Sequence, residues 1–169
     1  MGTADGSAEV VLIVDSFDGR DMYAEYFASR GLTVCTAVSA DQAVELLDIV
    51  KPSVIVSDLV FLHNHIDAST FISFIRSRPE FDLASIIVVS RYVREEDRDR
   101  AFHCGADLFL IKPCLPQTLL GHVERALVSH RQGSRLKGHW TSQALDRRHV
   151  LRAADRDRRR HQPGTRPPF

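Results

Sequence analysis

Short apolar runs alternate with longer amphipathic stretches through the first 130 residues. The runs are VVLIV at 10–14, TVCTA at 33–37, VIVS at 54–57, IIVVS at 86–90 and LFLI at 108–111. Continuous β-branched runs this short predict strands buried on both faces, as in a parallel sheet. The stretches between them have helical spacing. Met22, Tyr23, Tyr26 and Phe27 share one face, with Gly31 placed as a C-cap. Ser39 is placed to cap a helix carrying Ala43, Val44, Leu47 and Val50 inward, which Pro52 ends. Phe71, Phe74 and Ile75 make a stripe within 69–78. Residues 94–103 are charged, with Ala101 and Phe102 inward, and stop near Gly105. Leu119, Leu120, Val123, Ala126 and Leu127 define a last helix opened by Pro116.

Five strand–helix alternations predict an α/β fold, a five-stranded doubly wound parallel sheet with helices on both faces. In such sheets the functional crevice lies beyond the carboxyl ends of the strands. Asp15 and Ser16 follow the first run, Asp58 follows the third, Ser90 ends the fourth, and Lys112-Pro113 follow the fifth. Two carboxylates, a hydroxyl and an ammonium therefore gather at one rim. Neighbouring carboxylates repel unless a cation neutralises them, and hard oxygen donors suit Mg²⁺. Such a cation with a lysine and a hydroxyl makes a cradle for a phosphoryl group, with a central carboxylate as nucleophile.

Composition narrows the class. A hydrophobic fraction of 44% in 169 residues is that of an ordinary globular domain with a tail. No stretch reaches the roughly 18 apolar residues of a membrane span, and the start MGTADGSAE has no signal-peptide pattern, so the expectation is a cytoplasmic protein. Cys35, Cys104 and Cys114 lack disulfide or zinc spacing and read as buried or half-buried free thiols. The zero net charge hides a split. Residues 1–130 carry 11 Lys/Arg against 19 Asp/Glu, net −8, and residues 131–169 carry 11 against 3, net +8. The division expected is a domain over 9–130 and a basic, mostly disordered tail over 131–169. No Gly-rich phosphate loop follows the first strand, only Gly19, which disfavours a dinucleotide enzyme.

With Asp15, Asp58, Ser90 and Lys112-Pro113 in this order, and with GADLFLIKPC at 105–114, the chain resembles the receiver domain of bacterial two-component response regulators. RDMYAEYF and KPCLPQTL are similar to a common subgroup of them. The resemblance implies a flavodoxin-like receiver fold, with no enzymatic turnover beyond phosphotransfer and autodephosphorylation. It makes Asp58 the phosphoacceptor, Asp15 and Asp58 Mg²⁺ ligands together with the backbone carbonyl of Val60, and Lys112 the phosphate-contacting lysine, with a cis bond to Pro113. Ser90 and Phe109 become the switch pair. A histidine kinase or phosphotransfer protein is the implied donor, with no membrane partner. Output would run by contact with a downstream protein through the fourth helix, fifth strand and fifth helix.

The chain also departs from that pattern. Ser16 stands where the second acid of the metal pair is usual, which implies weakened Mg²⁺ binding unless Asp18 substitutes. DLVFLHNHID lacks the family's Pro and has Ala68 for Gly. Arg91 and Tyr92 follow Ser90 where a small residue is usual. Two readings stay open: a working phospho-receiver, and a pseudo-receiver that keeps the fold as an interaction module. The HNH triplet at 63–65 is read as a solvated loop and not as a nuclease or metal site through His63 and His65. The tail, with Trp140 and Phe169 as its aromatics and a short helix through Leu145, Val150 and Leu151 as an option, is weighed for nucleic-acid contact, which is not favoured.

Overall fold

In the computed structural model, residues 9–15, 19–60, 67–91 and 94–136 are described. All of them belong to one unit, Met1–His139. The strands are β1 (Val10–Val14), β2 (Thr33–Ala37), β3 (Val54–Ser57), β4 (Ser85–Ser90) and β5 (Leu108–Ile111). The helices are α1 (Gly19–Ser29), α2 (Ala40–Val50), α3 (Ala68–Arg76), α4 (Glu95–Cys104) and α5 (Pro116–Arg131). The strands pair in the order β2-β1-β3-β4-β5, parallel throughout. This is the five-stranded doubly wound α/β sheet that the alternation predicts.

Period-two alternation divides the core into two layers. Leu12, Val14, Ile55, Ile86, Val88 and Phe109 pack with Leu47 of α2, Phe71, Ile72 and Ile75 of α3 and Ala101 of α4. Val11, Ile13, Val54, Val56, Ile87, Val89, Leu108 and Leu110 pack on the other side with Tyr23 and Phe27 of α1 and Leu119, Val123 and Leu127 of α5. Each large side chain so buried contributes on the order of 1.5–3 kcal/mol. The chain steps from β1 outward to β2 and then back across to β3. The switch point therefore lies between β1 and β3, where a crevice opens at their carboxyl ends.

Local signals set the element ends. Ser39 Oγ accepts from the Gln42 amide at 3.1 Å and caps α2, while Lys51 leaves it in the left-handed region. Asp67 Oδ1 accepts from the Thr70 amide at 2.7 Å and caps α3. That hydrogen bond holds the Asp67 carboxyl below its usual range. Gly31 and Gly105 close α1 and α4 at positive φ.

Three side-chain or boundary expectations are corrected. Met22 is exposed, because Tyr23 and Phe27, flanked by Ala24 and Tyr26, fill the α1 face against the sheet. Phe74 stands at the rim of α3 with Arg78 over its ring, while Ile72 takes the inward position. The fourth strand begins at Ser85, one residue early, since the Ser85 amide donates to Ser53 O at 3.0 Å. A further one-turn helix, Pro79–Phe81, delivers Phe81 into the core.

At the amino edge of the sheet, Arg76 is an interior anchor. Its Nε donates to Gly105 O at 2.9 Å, Nη1 to Phe81 O and Ala84 O at 3.2 and 2.9 Å, and Nη2 to Asp107 Oδ2 at 2.6 Å. Asp107 Oδ2 also accepts from the Ile86 amide. The chain beyond α5 returns to this edge, where the Leu136 amide donates to Ser85 Oγ at 2.9 Å. Among the described residues no helix is long and apolar enough to cross a membrane. Residues 137–169, with the aromatic and helical positions weighed for the tail, lie outside the described residues.

Candidate functional site

Each charged side chain of the site continues a strand whose ladder fixes it. The Asp15 amide donates to Ala37 O at 3.2 Å and the Asp58 amide to Val14 O at 3.0 Å, so β1 and β3 project their carboxylates side by side. The Lys112 amide donates to Ser90 O at 2.8 Å, which ties the end of β5 to the end of β4. The Lys112-Pro113 bond is cis.

These three backbones bring one ammonium between two carboxylates. Lys112 Nζ donates to Asp15 Oδ2 and to Asp58 Oδ2, at 2.6 Å each. The three side chains are only 6, 7 and 11% exposed for Asp15, Asp58 and Lys112. Burying two carboxylates together is costly, and one ammonium shared between them offsets much of that cost. Asp58 Oδ1 accepts from the amides of Leu59 at 2.6 Å and Val60 at 3.4 Å. Those bonds hold the carboxylate in one orientation while Oδ2 faces the lysine. The triad keeps one unit of negative charge in excess, which favours an approaching cation.

Asp15, Asp58 and Lys112 are thus in direct contact. Ser90 ends β4 fully buried, its carbonyl bonded to the Lys112 amide. Phe109 pairs with Val88 in register and is buried in the core layer under α2, α3 and α4. Val60 is two residues beyond Asp58. Arg91 lies exposed on the rim of a cleft of about 390 Å³ that Gly19, Met22, Tyr23, Lys112, Pro113 and Cys114 also line. A second cleft, about 370 Å³, opens beside Leu59 and Val60 toward Asp67, Arg94, Asp97 and Arg100. Ser16, Asp18, His63, His65 and Tyr92 lie outside the described residues.

The donor set fits Mg²⁺. Two carboxylates and a backbone carbonyl are hard oxygen ligands, and Mg²⁺ completes its octahedron with water. Among the described residues no group of three or more His, Cys, Asp or Glu gathers as a metal site. The protein's share of the shell would be Asp15, Asp58 and the Val60 carbonyl. All three cysteines are free, and burial pushes the Cys114 thiol up to about 11, so it is an unreactive neutral group.

One tie near the site has no signal in the sequence. Tyr23 Oη donates to Cys114 O at 2.7 Å across 91 residues. Helical spacing marks Tyr23 as an inward residue but cannot say what its hydroxyl meets.

Residues 10–124 match the family described as the response regulator receiver domain. An uncharacterised 14.6 kDa protein from the sodA1 3' region of Leptolyngbya boryana is 29% identical over 117 residues, covering 69% of this chain and 88% of that protein. A response regulator receiver protein from Pseudomonas putida is 28% identical with a TM-score of 0.64, covering 71% of this chain and 98% of that one. A CheY-like receiver domain protein from Methanospirillum hungatei JF-1 shares the fold at 20% identity and a TM-score of 0.68, covering 76% and 100%.

Proposed function

The chain belongs to the response regulator receiver domain family, and from that premise we propose that it accepts a phosphoryl group on Asp58 from a histidine kinase or phosphotransfer protein. One observation carries the reading. Lys112 Nζ stands 2.6 Å from a carboxylate oxygen of both Asp15 and Asp58, at the switch point of the sheet.

The residues act as follows. Asp58 Oδ2 attacks the donor's phosphorus, an O–P bond forms as the P–N bond to the donor imidazole breaks, and the imidazole keeps the electron pair and takes up a proton. The Leu59 and Val60 amides hold Oδ1, so the nucleophilic oxygen is presented in one orientation. Lys112 turns from the carboxylates to the phosphoryl oxygens and neutralises charge as it arrives. Ser90 and Phe109 form the switch, the hydroxyl meeting the new phosphoryl group and the ring following it. Asp15, Asp58 and the Val60 carbonyl would hold Mg²⁺, which would add charge neutralisation; with Ser16 where the sequence pattern has an acid, that binding would be weaker. The signal then passes by protein contact through α4, β5 and α5, in the cytoplasm, to a downstream protein.

Incubation of the full chain with acetyl phosphate and Mg²⁺, followed by intact-mass measurement, tests this. The expected product is heavier by about 80 Da and is absent from Asp58→Asn. A second reading, a pseudo-receiver that serves as an interaction module, is favoured by one feature: Ser16 stands in the sequence where the second acid of the metal pair is usual. An unmodified wild-type mass under conditions that label ordinary receivers would establish that second reading in place of the first.

A further inference from the structure

We propose that Tyr23 is a positioning residue for Lys112, its hydroxyl anchoring the Lys112–Cys114 segment so that the ammonium stays seated between Asp15 and Asp58. The consequence for phosphoryl transfer rests on the function proposed above; the placement of the ammonium does not.

The phenol is only 4% exposed and sits among apolar side chains, its ring 6.3 Å from that of Phe27. A phenylalanine would satisfy that packing, so the core does not account for the hydroxyl. A buried hydroxyl is costly unless bonded, and this one donates to Cys114 O at 2.7 Å. That carbonyl lies two residues beyond Lys112. The near end of the same segment is tied by the Lys112 amide to Ser90 O, and Pro113 between them has no amide to donate. Two ties, one at each end, thus set the backbone from which the lysine reaches its partners.

The other side of the ion pair is fixed to the same helix start. A Cβ placed on Gly19 would stand 3.6 Å from Asp15 Oδ2 and 3.7 Å from the Tyr23 ring, so α1 opens flush against both. Tyr23 therefore joins the helix beside Asp15 to the loop that carries Lys112. Burial, with the negative charges of Asp15 and Asp58 adding to it, pushes the phenol up to about 12. It remains a proton donor throughout the working range.

Tyr23→Phe in the full chain tests this, with Tyr26→Phe as the control. The Tyr26 hydroxyl accepts from exposed Arg30, just past the end of α1 and away from the site. The ¹⁵Nζ resonance of Lys112 should be sharp and slow to exchange in wild type and in Tyr26→Phe. In Tyr23→Phe it should shift and broaden. The maximal rate of Asp58 phosphorylation by acetyl phosphate should fall about tenfold, with half-saturation by the donor unchanged, since a displacement under 1 Å costs orientation and not donor affinity. Para-aminophenylalanine at position 23 restores a donor and should restore both readouts. A Tyr23→Phe protein whose Lys112 resonance matches wild type, even if less stable, would overturn the assignment. If wild type takes up no phosphoryl group, the functional reading fails, and the Lys112 resonance still decides the role of Tyr23.

Discussion

A Cβ added to Gly105 would stand 2.6 Å from Cγ of Arg76. Gly105 has φ +112°, its amide closes α4, and its carbonyl accepts from Arg76 Nε. The residue therefore answers two demands at once, a left-handed turn and the passage of a guanidinium stem. Gly31 has φ +85° with nothing within 4 Å of the added Cβ, and so answers only the first. Gly31→Ala should cost about 1 kcal/mol, and Gly105→Ala about 3 kcal/mol because Arg76 must also move. Urea denaturation of the two variants checks the difference.

Arg76 and Asp107 form a buried pair, 12 and 10% exposed, with the guanidinium also serving three carbonyls. Removing one partner strands the other charge and leaves carbonyls unpaired. Arg76→Met should therefore destabilise the fold by about 3–5 kcal/mol. Arg135 stands 3.7 Å from the other oxygen of Asp107 and is 41% exposed, so Arg135→Ala should cost less than about 1 kcal/mol. Thermal or urea unfolding of the two variants separates the anchor from its solvated neighbour.

Lys112 is the shared counter-charge of Asp15 and Asp58. Lys112→Met leaves two buried carboxylates facing each other and should cost about 3 kcal/mol in metal-free buffer. Adding Asp58→Asn removes the repulsion, and the double variant should recover about half of that loss. Simple additivity of the two single variants would contradict the shared-charge account.

Arg125 Nη2 lies 2.5 Å from His122 Nδ1, which makes that nitrogen an acceptor and the ring neutral. Burial first, and then the Arg125 charge, lower the His122 pKa from 6.5. The unfolded chain thus binds a proton that the folded chain refuses, and stability falls as pH drops below about 6.5. His122→Leu should remove that component. The stability difference between wild type and variant should shift against wild type between pH 7 and pH 5.5, and a constant difference would contradict the assignment.

The chain carried the frame of this site in plain view. The runs of β1, β3 and β4 are legible because both faces are buried, whereas edge strand β2 keeps Thr33 and Thr36 exposed; a parallel sheet sends all their carboxyl ends to one rim. Asp15, Asp58 and Lys112 could therefore be brought together from sequence order alone, and their contact is observed. Caps at Ser39, Gly31 and Gly105 were legible because each rests on local chemistry. Positions on the rim of a helical face were not. Met22 and Phe74 satisfy the spacing of an inward residue, yet the arc is already filled by Tyr23 and Phe27, and by Phe71, Ile72 and Ile75. Long-range ties were invisible for another reason. The Arg76–Asp107 pair and the Tyr23–Cys114 bond join residues 31 and 91 positions apart, and no periodicity encodes which polar atoms meet.

The buried charged contacts lie at two poles, the carboxyl and the amino ends of the strands. Lys112 with its carboxylates lies at one, and Arg76 with Gly105, Asp107 and the returning segment at Leu136 lies at the other. Arg91, where the family has a small residue, lines a cleft with Lys112 at the first pole. Such a molecule can have the chemistry proposed for it retuned, or given up, by substitutions that never touch the girder holding it together.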